Sequence, residues 1–379
     1  MPVTEVDQQF MREAITLAMQ GRGRVEPNPM VGCVIVKNDR VIGRGFHQKY
    51  GAPHAEPNAL ASCTEDPAGA TAYVTLEPCC HTNKQTPPCV PKLIDAKLAR
   101  VVIGCADPNP NVSGKGIAQL REAGIHIDVG CLEAEAKQLA APFFSRILHR
   151  IPYVTLKWAQ TANHAVGIPN ERLQISNPAA MRVVHELRAR CDAILVGSNT
   201  VIADDPSLTV RGPEPMRPLL RVVLNRDLTI PLTSRLVATA RQTPLRIICG
   251  EPAYQSKFAM VESLKAAGAV VVELPLDSRG KIDLAAALSH LGSLDITHLL
   301  VEPGPTLARS FLAGNHADRI WVIRSPKSVQ AGLLAAPFDY PATRQVDLGG
   351  DVLTEYLNPG SDVFFAQEPS ADLLLTARS

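Results

Sequence analysis

The sequence predicts an α/β protein made of two domains. Short apolar runs that match β-strands alternate along the chain with stretches that match helices, an order typical of layered α/β sheets. The chain has 379 residues, more than one ordinary core accommodates, so two domains of about 150–230 residues each are expected. Hydrophobic residues make up 46% and charged residues 20%, a composition typical of globular proteins.

The first half is predicted to contain five strands and four helices. Thr4 and Asp7 have the spacing of a helix start, and apolar residues follow them at helical intervals. Pro57 is compatible with a helix over His54–Ser62 because it falls in the first turn, where a missing backbone N–H costs little. The predicted strands are Val31–Val36, Val41–Gly45, Thr71–Leu76, Val101–Gly104 and Ile125–Val129, and the remaining helices cover 89–94 and 116–123.

The second half continues this alternation after a connecting stretch, Pro142–Pro152, that carries Arg146, His149 and Arg150. We place the domain boundary near His149, which gives domains of residues 1–148 and 149–368, followed by a loose tail at 369–379. The predicted strands are Tyr153–Trp158, Ala193–Gly197, Leu220–Asn225, Leu245–Cys249, Val270–Glu273, His298–Glu302, Ile320–Ile323 and Val363–Ala366. The predicted helices are Pro178–Ala189, Ser256–Ala267, Asp283–Leu291 and Thr306–Ala313.

Bulk charge and the cysteines limit the functional classes. The formal net charge is +1 without a basic tract, so steering toward nucleic acid by bulk charge is not indicated. The N-terminus lacks the pattern of a secretory signal, and no apolar run has the length that a bilayer crossing needs. The nine cysteines are therefore expected to be thiols or metal ligands in a reducing cytoplasm, in a protein without a nucleic-acid or membrane partner.

One histidine and two cysteines have the arrangement of a catalytic zinc site. The sequence reads His54-Ala55-Glu56, then Pro78-Cys79, then Pro87-Pro88-Cys89. An imidazole and two thiolates hold zinc with its fourth position open for water, and zinc deaminases of ring amino groups carry H-x-E followed by P-C. The second cysteine of that pattern usually follows as C-x-x-C, so the wider gap here makes the match close but incomplete.

Glu56 gives this site its chemistry. Deamination needs a hydroxide at neutral pH and a proton delivered first to the ring nitrogen and then to the departing amine. Glu56 lies two residues after His54, within reach of that water, so we assign it as general acid and base. Cys80 or His81 as a fourth ligand would close the site and make the zinc structural. Catalysis is favoured, because a closed site leaves Glu56 without a role.

These motifs resemble those of the bifunctional deaminase–reductases of riboflavin biosynthesis, over about residues 5–367. The matching stretches are Pro27-Asn28-Pro29, Val31–Val36, Gly51–Glu56, Thr75–Cys79, Thr86–Cys89 and Asp107–Pro110. In that family the wide cysteine gap is normal. The resemblance implies a cytidine-deaminase-like three-layer domain in which His54, Cys79 and Cys89 bind zinc and Glu56 moves protons.

The resemblance also implies the substrate contacts of this domain. Asn28 and His47 would contact the pyrimidine, and Lys84 would bind the substrate phosphate. Two local departures exist, since Pro57 replaces an aliphatic residue and the loop from His81 to Thr86 is one residue longer than is typical. The longer loop alters the reach expected of Lys84.

The second half resembles the reductase of the same family, which has a dihydrofolate-reductase-like α/β fold and uses NADPH. The matching stretches are His185–Arg188, Ala193–Thr200, Ala203–Pro206, Leu208–Arg211, Val301-Glu302 and Gly304-Pro305-Thr306. By their own chemistry, Arg188 and Arg211 suit a sugar phosphate. Gly304 lies between a strand and a helix start, a position suited to a cofactor phosphate. No G-x-G-x-x-G follows a strand and opens a helix, so a Rossmann fingerprint is not supported.

The resemblance implies a role for each residue of the reductase site. Lys157 is implied to be catalytic. The implied substrate contacts are Arg188, Leu208, Arg211 and Glu302. The implied cofactor contacts are Ala159, Thr200, Asp204, Gly304, Pro305 and Thr306.

The reductase half departs from the family pattern at three places. Thr161–Ala165 replaces a Ser-Leu-Asp-Gly-Lys/Arg motif, Glu171–Gln174 lacks the usual tryptophan, and a glycine expected after Pro326-Lys327 is absent. A neutral Asn163 lacks the charge of an aspartate, and a bulky His164 would hinder a close backbone approach. Two hypotheses follow: an altered working reductase, or a fold kept for substrate binding or oligomer assembly.

The sequence therefore predicts a deaminase–reductase that acts on 2,5-diamino-6-ribosylamino-4(3H)-pyrimidinone 5′-phosphate with Zn²⁺ and NADPH, and that forms a homo-oligomer. A deaminase with a degenerate reductase domain is the main alternative. A nucleoside or nucleic-acid deaminase is disfavoured by the +1 charge and the 4% aromatic content. A zinc-stabilised binding protein remains as the non-catalytic alternative and predicts four protein ligands on the metal.

Overall fold

The computed structural model describes residues 3–82, 85–167, 174–212, 217–329, 332–333, 340–361 and 363. The chain divides after His149 into two compact units. None of the helices in the described ranges combines the length and the apolar character that crossing a membrane requires.

The N-terminal unit is built on a five-stranded sheet with helices on both faces, which confirms the predicted three-layer α/β fold. The strands lie in the order β2-β1-β3-β4-β5, antiparallel on both sides of β1 and parallel from β3 to β5. The strands are β1 (Gly32–Lys37), β2 (Arg40–Phe46), β3 (Thr71–Leu76), β4 (Arg100–Cys105) and β5 (His126–Val129). The helices are α1 (Glu5–Ala18), α2 (Ala55–Ala61), α3 (Cys89–Asp95), α4 (Lys115–Glu122), α5 (Glu133–Leu139) and α6 (Ala141–His149).

Alternate residues of these strands enter two separate cores. Ile35 packs with residues of α2, α3 and α4, whereas its neighbour Val34 packs with residues of α1 and α5. Because both faces are covered, the central strands are apolar throughout rather than alternating. The predicted start of α1 is confirmed as a capping box, since Thr4 Oγ1 accepts from the Asp7 N–H and the Asp7 carboxylate accepts from the Thr4 N–H.

The C-terminal unit is built on a nine-stranded sheet, in the order β11-β10-β9-β8-β12-β6-β13-β16-β15. Each pair of neighbouring strands from β11 to β13 in this order is parallel. The pairs β13–β16 and β16–β15 are antiparallel. The strands are β6 (Tyr153–Gln160), β8 (Ala193–Gly197), β9 (Leu220–Leu224), β10 (Leu245–Gly250), β11 (Val270–Leu274), β12 (His298–Val301), β13 (Arg319–Arg324), β15 (Ala342–Asp347) and β16 (Val352–Leu357). Two short strands, β7 (Ala165–Gly167) and β14 (Gly332–Leu333), pair separately.

Helices follow the parallel strands of this unit along the chain, as crossover connections between parallel strands require. They are α7 (Pro178–Arg190), α8 (Ser198–Asp204), α9 (Arg235–Ala238), α10 (Glu251–Ser256), α11 (Phe258–Ala266), α12 (Leu284–Gly292) and α13 (Pro305–Ala313). Parallel strands of one sheet present their carboxyl ends at the same edge, and ligands of such folds bind there. The site residues predicted on β6, β8 and β12 are therefore brought to one edge.

Several sequence predictions need correction. The connecting stretch Pro142–Pro152 is largely helical, because α6 reaches His149. The helix predicted over Ser256–Ala267 is divided at Lys257 into α10 and α11. Of the predicted strand Val363–Ala366, Val363 lies in a turn and the rest falls outside the described residues, as does the predicted tail.

Candidate functional site

Three predicted metal ligands, His54, Cys79 and Cys89, come together in the N-terminal unit. His54 is the N-cap of α2, Cys89 is the first residue of α3, and Cys79 lies in the loop after β3. His54 Nδ1 is 3.5 Å from each Sγ atom, and the two Sγ atoms are 3.4 Å apart. No other group of three or more potential metal-ligating side chains occurs in the part of the chain that the structure describes.

These distances fit a zinc ion. Ideal Zn–S and Zn–N bonds at tetrahedral angles place such ligand atoms about 3.5–3.8 Å apart. The imidazole is also oriented from its other side, since His54 Nε2 is 3.0 Å from Thr86 Oγ1. A hydrogen bond of this kind fixes the ring orientation of a ligating histidine. The two sulfurs are 3.4 Å apart, slightly closer than this range, so small movements of the side chains would complete the match to zinc.

Two of the ligands are tied together through the backbone. The Cys79 carbonyl accepts from the Cys89 N–H at 3.0 Å and from the Val90 N–H at 3.2 Å. These are donors that the first turn of α3 cannot satisfy internally. One hydrogen-bonded turn therefore sets the start of the helix and the separation of the two sulfurs.

The competing fourth ligands do not join this group. Neither Cys80 nor His81 belongs to the described cluster of potential ligands. Cys80 Sγ instead donates to the Asn111 carbonyl at 3.8 Å. Three protein ligands leave one tetrahedral position for water, which is the arrangement of catalytic rather than structural zinc.

Glu56 lies beside the three ligands and is only 3% exposed. It lines the same cavity as His54 and Cys79, with a volume of about 290 Å³. Burial, reinforced by the charge of Cys79, raises the pKa of the Glu56 carboxyl, and His54 opposes that shift. A carboxyl with a raised pKa is suited to carrying a proton at neutral pH.

Asn28 and His47 face the same cavity and contact each other. Asn28 Nδ2 is 3.2 Å from His47 Nε2, and His47 Nδ1 is 3.1 Å from the Pro53 carbonyl. Because a carbonyl only accepts, we assign the ring proton to Nδ1, so that Nε2 accepts from the Asn28 amide. The Asn28 side-chain oxygen then remains to accept from a substrate amino group.

The predicted phosphate ligand Lys84 lies outside the described residues. Among the described residues that line the cavity, Arg146 is the one Lys or Arg, and it shares a face of α6 with Phe143 and Ile147. Sequence reasoning treated this stretch as a connection between domains and missed it. The amphipathic spacing of Phe143, Arg146 and Ile147 was the signal that could have revealed it.

Glu77 is a second residue that sequence reasoning missed. Its carboxylate is 3% exposed and accepts from four backbone N–H groups, those of Asp107, Gly114, Gly116 and Ile117, at 3.0–3.3 Å. The segment 107–117 carries Asp107, Asn109 and Val112, which line the cavity. Glu77 therefore positions one wall of the cavity and caps the start of α4.

Replacing Glu77 by Gln is expected to raise the KM for deamination and to lower the free energy of unfolding of the N-terminal unit. The amide has one acceptor oxygen, so it leaves buried backbone donors unsatisfied, at about 1–3 kcal/mol. Ammonia release at varied substrate and urea unfolding would measure the two effects. Glu122→Gln, an exposed change on the same α4, is the matched control. Equal KM and stability in both variants would contradict the role of Glu77.

In the C-terminal unit, Lys157, Arg188 and Glu302 form a buried charged cluster at the carboxyl ends of β6 and β12. Arg188 binds Glu302 through two hydrogen bonds of 2.7 and 2.8 Å and donates to the Thr209 carbonyl at 3.2 Å. Burial lowers the pKa of Lys157, and Glu302 opposes that shift. Burial acts against ionisation of Glu302, yet Arg188 and Lys157 lower its pKa to about 2.

Arg211 and Leu208 lie on the loop that follows α8. The Arg211 N–H donates to His185 Nδ1 at 3.2 Å, and burial together with Arg188 lowers the pKa of His185 to about 4. Leu208 is buried and has a φ of 50°. This loop therefore joins the charged cluster through His185 and Thr209.

The predicted cofactor residues Thr200, Gly304, Pro305 and Thr306 line a second cavity, of about 800 Å³. Its volume is in the range of sites that bury small-molecule ligands. Ala159 lies on β6 two residues after Lys157, and Asp204 is exposed at the end of α8. Neither Ala159 nor Asp204 is among the described residues that line this cavity.

The altered Thr161–Ala165 segment still forms a closed turn. His164 takes the left-handed conformation with a φ of 66°. The Thr161 N–H donates to the Ala165 carbonyl at 2.8 Å, and Asn163 Nδ2 donates to the Val329 carbonyl at 2.6 Å. The His164 ring lies beside Gln160 and Arg324. The turn is therefore built with these residues, whereas Glu171, Arg172 and Leu173 lie outside the described residues.

Comparison with known proteins identifies both units. Residues 4–105 match the family model for the cytidine and deoxycytidylate deaminase zinc-binding region, and residues 152–334 match that for the RibD C-terminal domain. The riboflavin biosynthesis protein RibD of Aquifex aeolicus is 41% identical over 332 residues, which cover 87% of this chain and 90% of the relative. The chain belongs to the RibD family.

Other RibD proteins agree with this assignment over nearly the whole chain. The Escherichia coli RibD is 39% identical over 324 residues, 85% of this chain and 88% of the relative. An Acinetobacter baumannii RibD structure superposes with a TM-score of 0.81 at 33% identity, covering 93% of this chain and 99% of that one. A Thermotoga maritima structure gives 0.79 at 33% identity, covering 93% and 98%.

Membership of the RibD family confirms the predicted function at the level of the two domains. The protein is a riboflavin biosynthesis enzyme with a zinc-dependent deaminase domain and a reductase domain that uses NADPH. The zinc-binding region of the first family model contains His54, Cys79 and Cys89. The roles of the individual RibD site residues remain predictions.

Proposed function

We propose that the N-terminal unit removes the C2 amino group of 2,5-diamino-6-ribosylamino-4(3H)-pyrimidinone 5′-phosphate, and that the C-terminal unit then reduces the ribosyl group to ribityl with NADPH. The observation that carries the proposal is the triangle of His54, Cys79 and Cys89 with the Glu56 carboxyl in the same cavity. The name of the Thermotoga maritima relative, a diaminohydroxyphosphoribosylaminopyrimidine deaminase/5-amino-6-(5-phosphoribosylamino)uracil reductase, supports both substrates.

In the deaminase, Glu56 is the proton carrier. His54, Cys79 and Cys89 would hold the zinc, which would make a bound water acidic enough to react as hydroxide at neutral pH. The Glu56 carboxylate would take a proton from that water and give it to the ring nitrogen beside C2. It would then take the proton of the hydroxyl group formed at C2 and give it to the departing amine, which leaves as ammonia. Asn28, held by His47, orients the pyrimidine through its amide oxygen. Water is consumed and the C2 amino group is replaced by a carbonyl.

Arg146 supports a phosphorylated substrate. The described walls of the deaminase cavity carry the carboxyl groups of Glu56, Glu77 and Asp107, which would repel a phosphate. Arg146 is the permanent cation among these described residues, and a guanidinium matches phosphate geometry. We therefore place the 5′-phosphate at the α6 side of the cavity, with Lys84 as a further contact.

In the reductase, Lys157 is the proposed proton donor. Opening of the ribosylamino ring needs a proton at the ribose ring oxygen before hydride reaches C1′. Lys157 is buried with a lowered pKa, so its ammonium gives up a proton more readily than an exposed lysine does. Glu302 and Arg188 hold that side of the site, and Leu208 and Arg211 would contact the substrate. The residues that would contact NADPH are Thr200, Gly304, Pro305 and Thr306. Ala159 and Asp204 would lie at the margins of the coenzyme.

The closed Thr161–Ala165 turn and the second cavity favour a working reductase over a degenerate one. Purified protein loaded with zinc is expected to release ammonia from the proposed substrate and then to oxidise NADPH, followed by absorbance. Absence of ammonia would contradict the deaminase assignment. Ammonia release without NADPH oxidation, at saturating coenzyme and with the deaminated intermediate, would favour the deaminase-only alternative.

The ammonia-release assay, run with other substrates, also tests the alternative of a nucleoside or nucleic-acid deaminase. Activity on cytidine or transfer RNA, with none on the phosphorylated pyrimidine, would favour a nucleoside or nucleic-acid deaminase. The homo-oligomeric state and the cytoplasmic location remain predictions, and light scattering of the purified protein would measure the first.

A further inference from the structure

The cavity of about 800 Å³ in the C-terminal unit has a charged end, lined by both cationic and anionic side chains, to which none of the assigned residues belongs. One end is lined by Gly304–Thr306 and by Ser198–Thr200. The other is lined by Arg226, which follows β9, and by hairpin 276–282, which follows β11. This hairpin, residues 276–282, is closed by the pairing of Leu276 with Ile282 and by a 2.6 Å hydrogen bond from the Asp277 N–H to the Lys281 carbonyl.

The order of the strands orients a dinucleotide in this cavity. Lys157 is on β6, Glu302 and Gly304 follow β12, and the sheet then continues through β8 to β9, β10 and β11. Neighbouring strands are about 4.8 Å apart, so β9 lies roughly 14 Å from β6. If the hydride-donating ring lies near Lys157 and the pyrophosphate at the start of α13, the adenosine half would extend to Arg226 and hairpin 276–282.

The hairpin is fixed to the end of β9 by Arg226. Arg226 Nη1 donates to the Gly280 carbonyl at 3.0 Å, while Nε and Nη2 bind Asp227 at 2.8 and 2.6 Å. Asp277 Oδ1 accepts from the backbone N–H groups of Arg279 and Lys281, each at 2.9 Å. The backbone that presents Arg279 and Lys281 is therefore ordered before any ligand binds.

The carboxylates at this end are already engaged. Asp227 binds Arg226, Asp277 binds the hairpin backbone and lies 3.4 Å from Arg279 Nε, and Asp283 accepts from two N–H groups at the start of α12. Within the described part of the chain, the exposed ammonium of Lys281 has no side-chain partner. This end of the cavity therefore offers an incoming anion one ammonium group that is not paired with a carboxylate and that is carried on an ordered backbone.

We propose that Lys281, on the hairpin that Arg226 holds in place, binds the 2′-phosphate of NADPH and gives the reductase its preference for NADPH over NADH. NADH carries a hydroxyl at that position and gains nothing from this cation, whereas a phosphate monoester carries a charge of about −1.5 to −2 at neutral pH. The inference rests on the proposed NADPH-dependent reduction, since it assigns the coenzyme specificity of that site.

Binding of nucleotide fragments tests the inference without turnover. Adenosine 2′,5′-bisphosphate and 5′-AMP differ by the 2′-phosphate alone, and calorimetry gives both dissociation constants for the full-length protein. Lys281→Gln is expected to weaken binding of the bisphosphate about 10-fold, the effect of one charge-assisted hydrogen bond, and to leave 5′-AMP binding within about 2-fold. The KM for NADPH should rise in parallel, while the KM for NADH stays unchanged.

Lys265→Gln, on exposed α11, removes the same charge from the same unit and is the matched control. Equal weakening of both nucleotides in Lys281→Gln, or equal affinity of the wild type for both, would overturn the assignment. If the wild type prefers the bisphosphate through Lys281 but oxidises no NADPH, the inference stands and the proposed reduction fails.

Discussion

Replacement of Glu56 by Gln is expected to lower kcat for ammonia release by about 10²–10⁴-fold, the usual contribution of a positioned general acid and base. The side chains have nearly the same shape, but the amide cannot give and take protons. Glu56 is buried in the cavity beside His54 and Cys79, so no bulk water replaces it in this function. Ammonia release under saturating substrate is the measurement.

The control for this prediction separates chemistry from folding and from metal binding. Glu65→Gln removes an exposed carboxylate of the same unit, which is paired with Arg40. Both variants are expected to keep the wild-type zinc content and to oxidise NADPH normally with the deaminated intermediate. A Glu56→Gln protein that releases ammonia at the control rate would show that the proton carrier is another group.

Glu302→Gln is expected to destabilise the C-terminal unit by about 3–5 kcal/mol, because it leaves buried cations without their counter-charge. Arg188 would lose its ionic partner and Lys157 its compensating charge. NADPH oxidation should be abolished. Ammonia release depends on the N-terminal unit and should be unchanged. Urea unfolding measures the loss, with Glu262→Gln, which removes an exposed pair with Lys265, as the control.

The pH dependence gives this prediction a second test. The pKa of Glu302 falls from 4.5 to about 2 on folding, so its contribution to stability is present above pH 4.5 and is lost as the pH falls toward 2. The free energy of unfolding of Glu302→Gln should therefore fall less steeply over that interval than that of the wild type. Parallel curves for the two proteins would contradict the assigned charge of Glu302.

The zinc ligands and Glu56 could be found from the sequence because their chemistry leaves a short, ordered pattern of residue types. Glu77 and Arg146 could not, since their roles depend on segments that approach only in the folded unit. Glu77 binds backbone groups more than 25 residues away in the chain, at Asp107–Ile117. The residue type of Glu77 does not by itself indicate that its carboxylate accepts hydrogen bonds from four backbone N–H groups.

The strands of both sheets were predicted where both faces are covered, because such strands are continuously apolar. Strands β15 and β16 were both missed because charged residues interrupt their apolar runs, Arg344 and Asp347 in β15 and Glu355 in β16. Helix α6 was missed because Pro142–Pro152 was interpreted as a connection between the domains, although Pro142 lies in the first turn of the helix, where proline is tolerated. Hairpin 276–282 was missed because its importance derives from the position of β11 in the sheet, which the sequence does not encode locally.

The hydrogen bonds from Cys89 and Val90 to the Cys79 carbonyl have a consequence for how this loop can evolve. These hydrogen bonds hold together the two ends of the loop that connects Cys79 to Cys89. The distance between the two sulfurs therefore does not depend on the number of residues in the loop. An insertion between these two hydrogen-bonded ends lengthens the loop at a closure cost that grows slowly with length. The length of this loop can therefore change during evolution while the spacing of the two cysteines is kept.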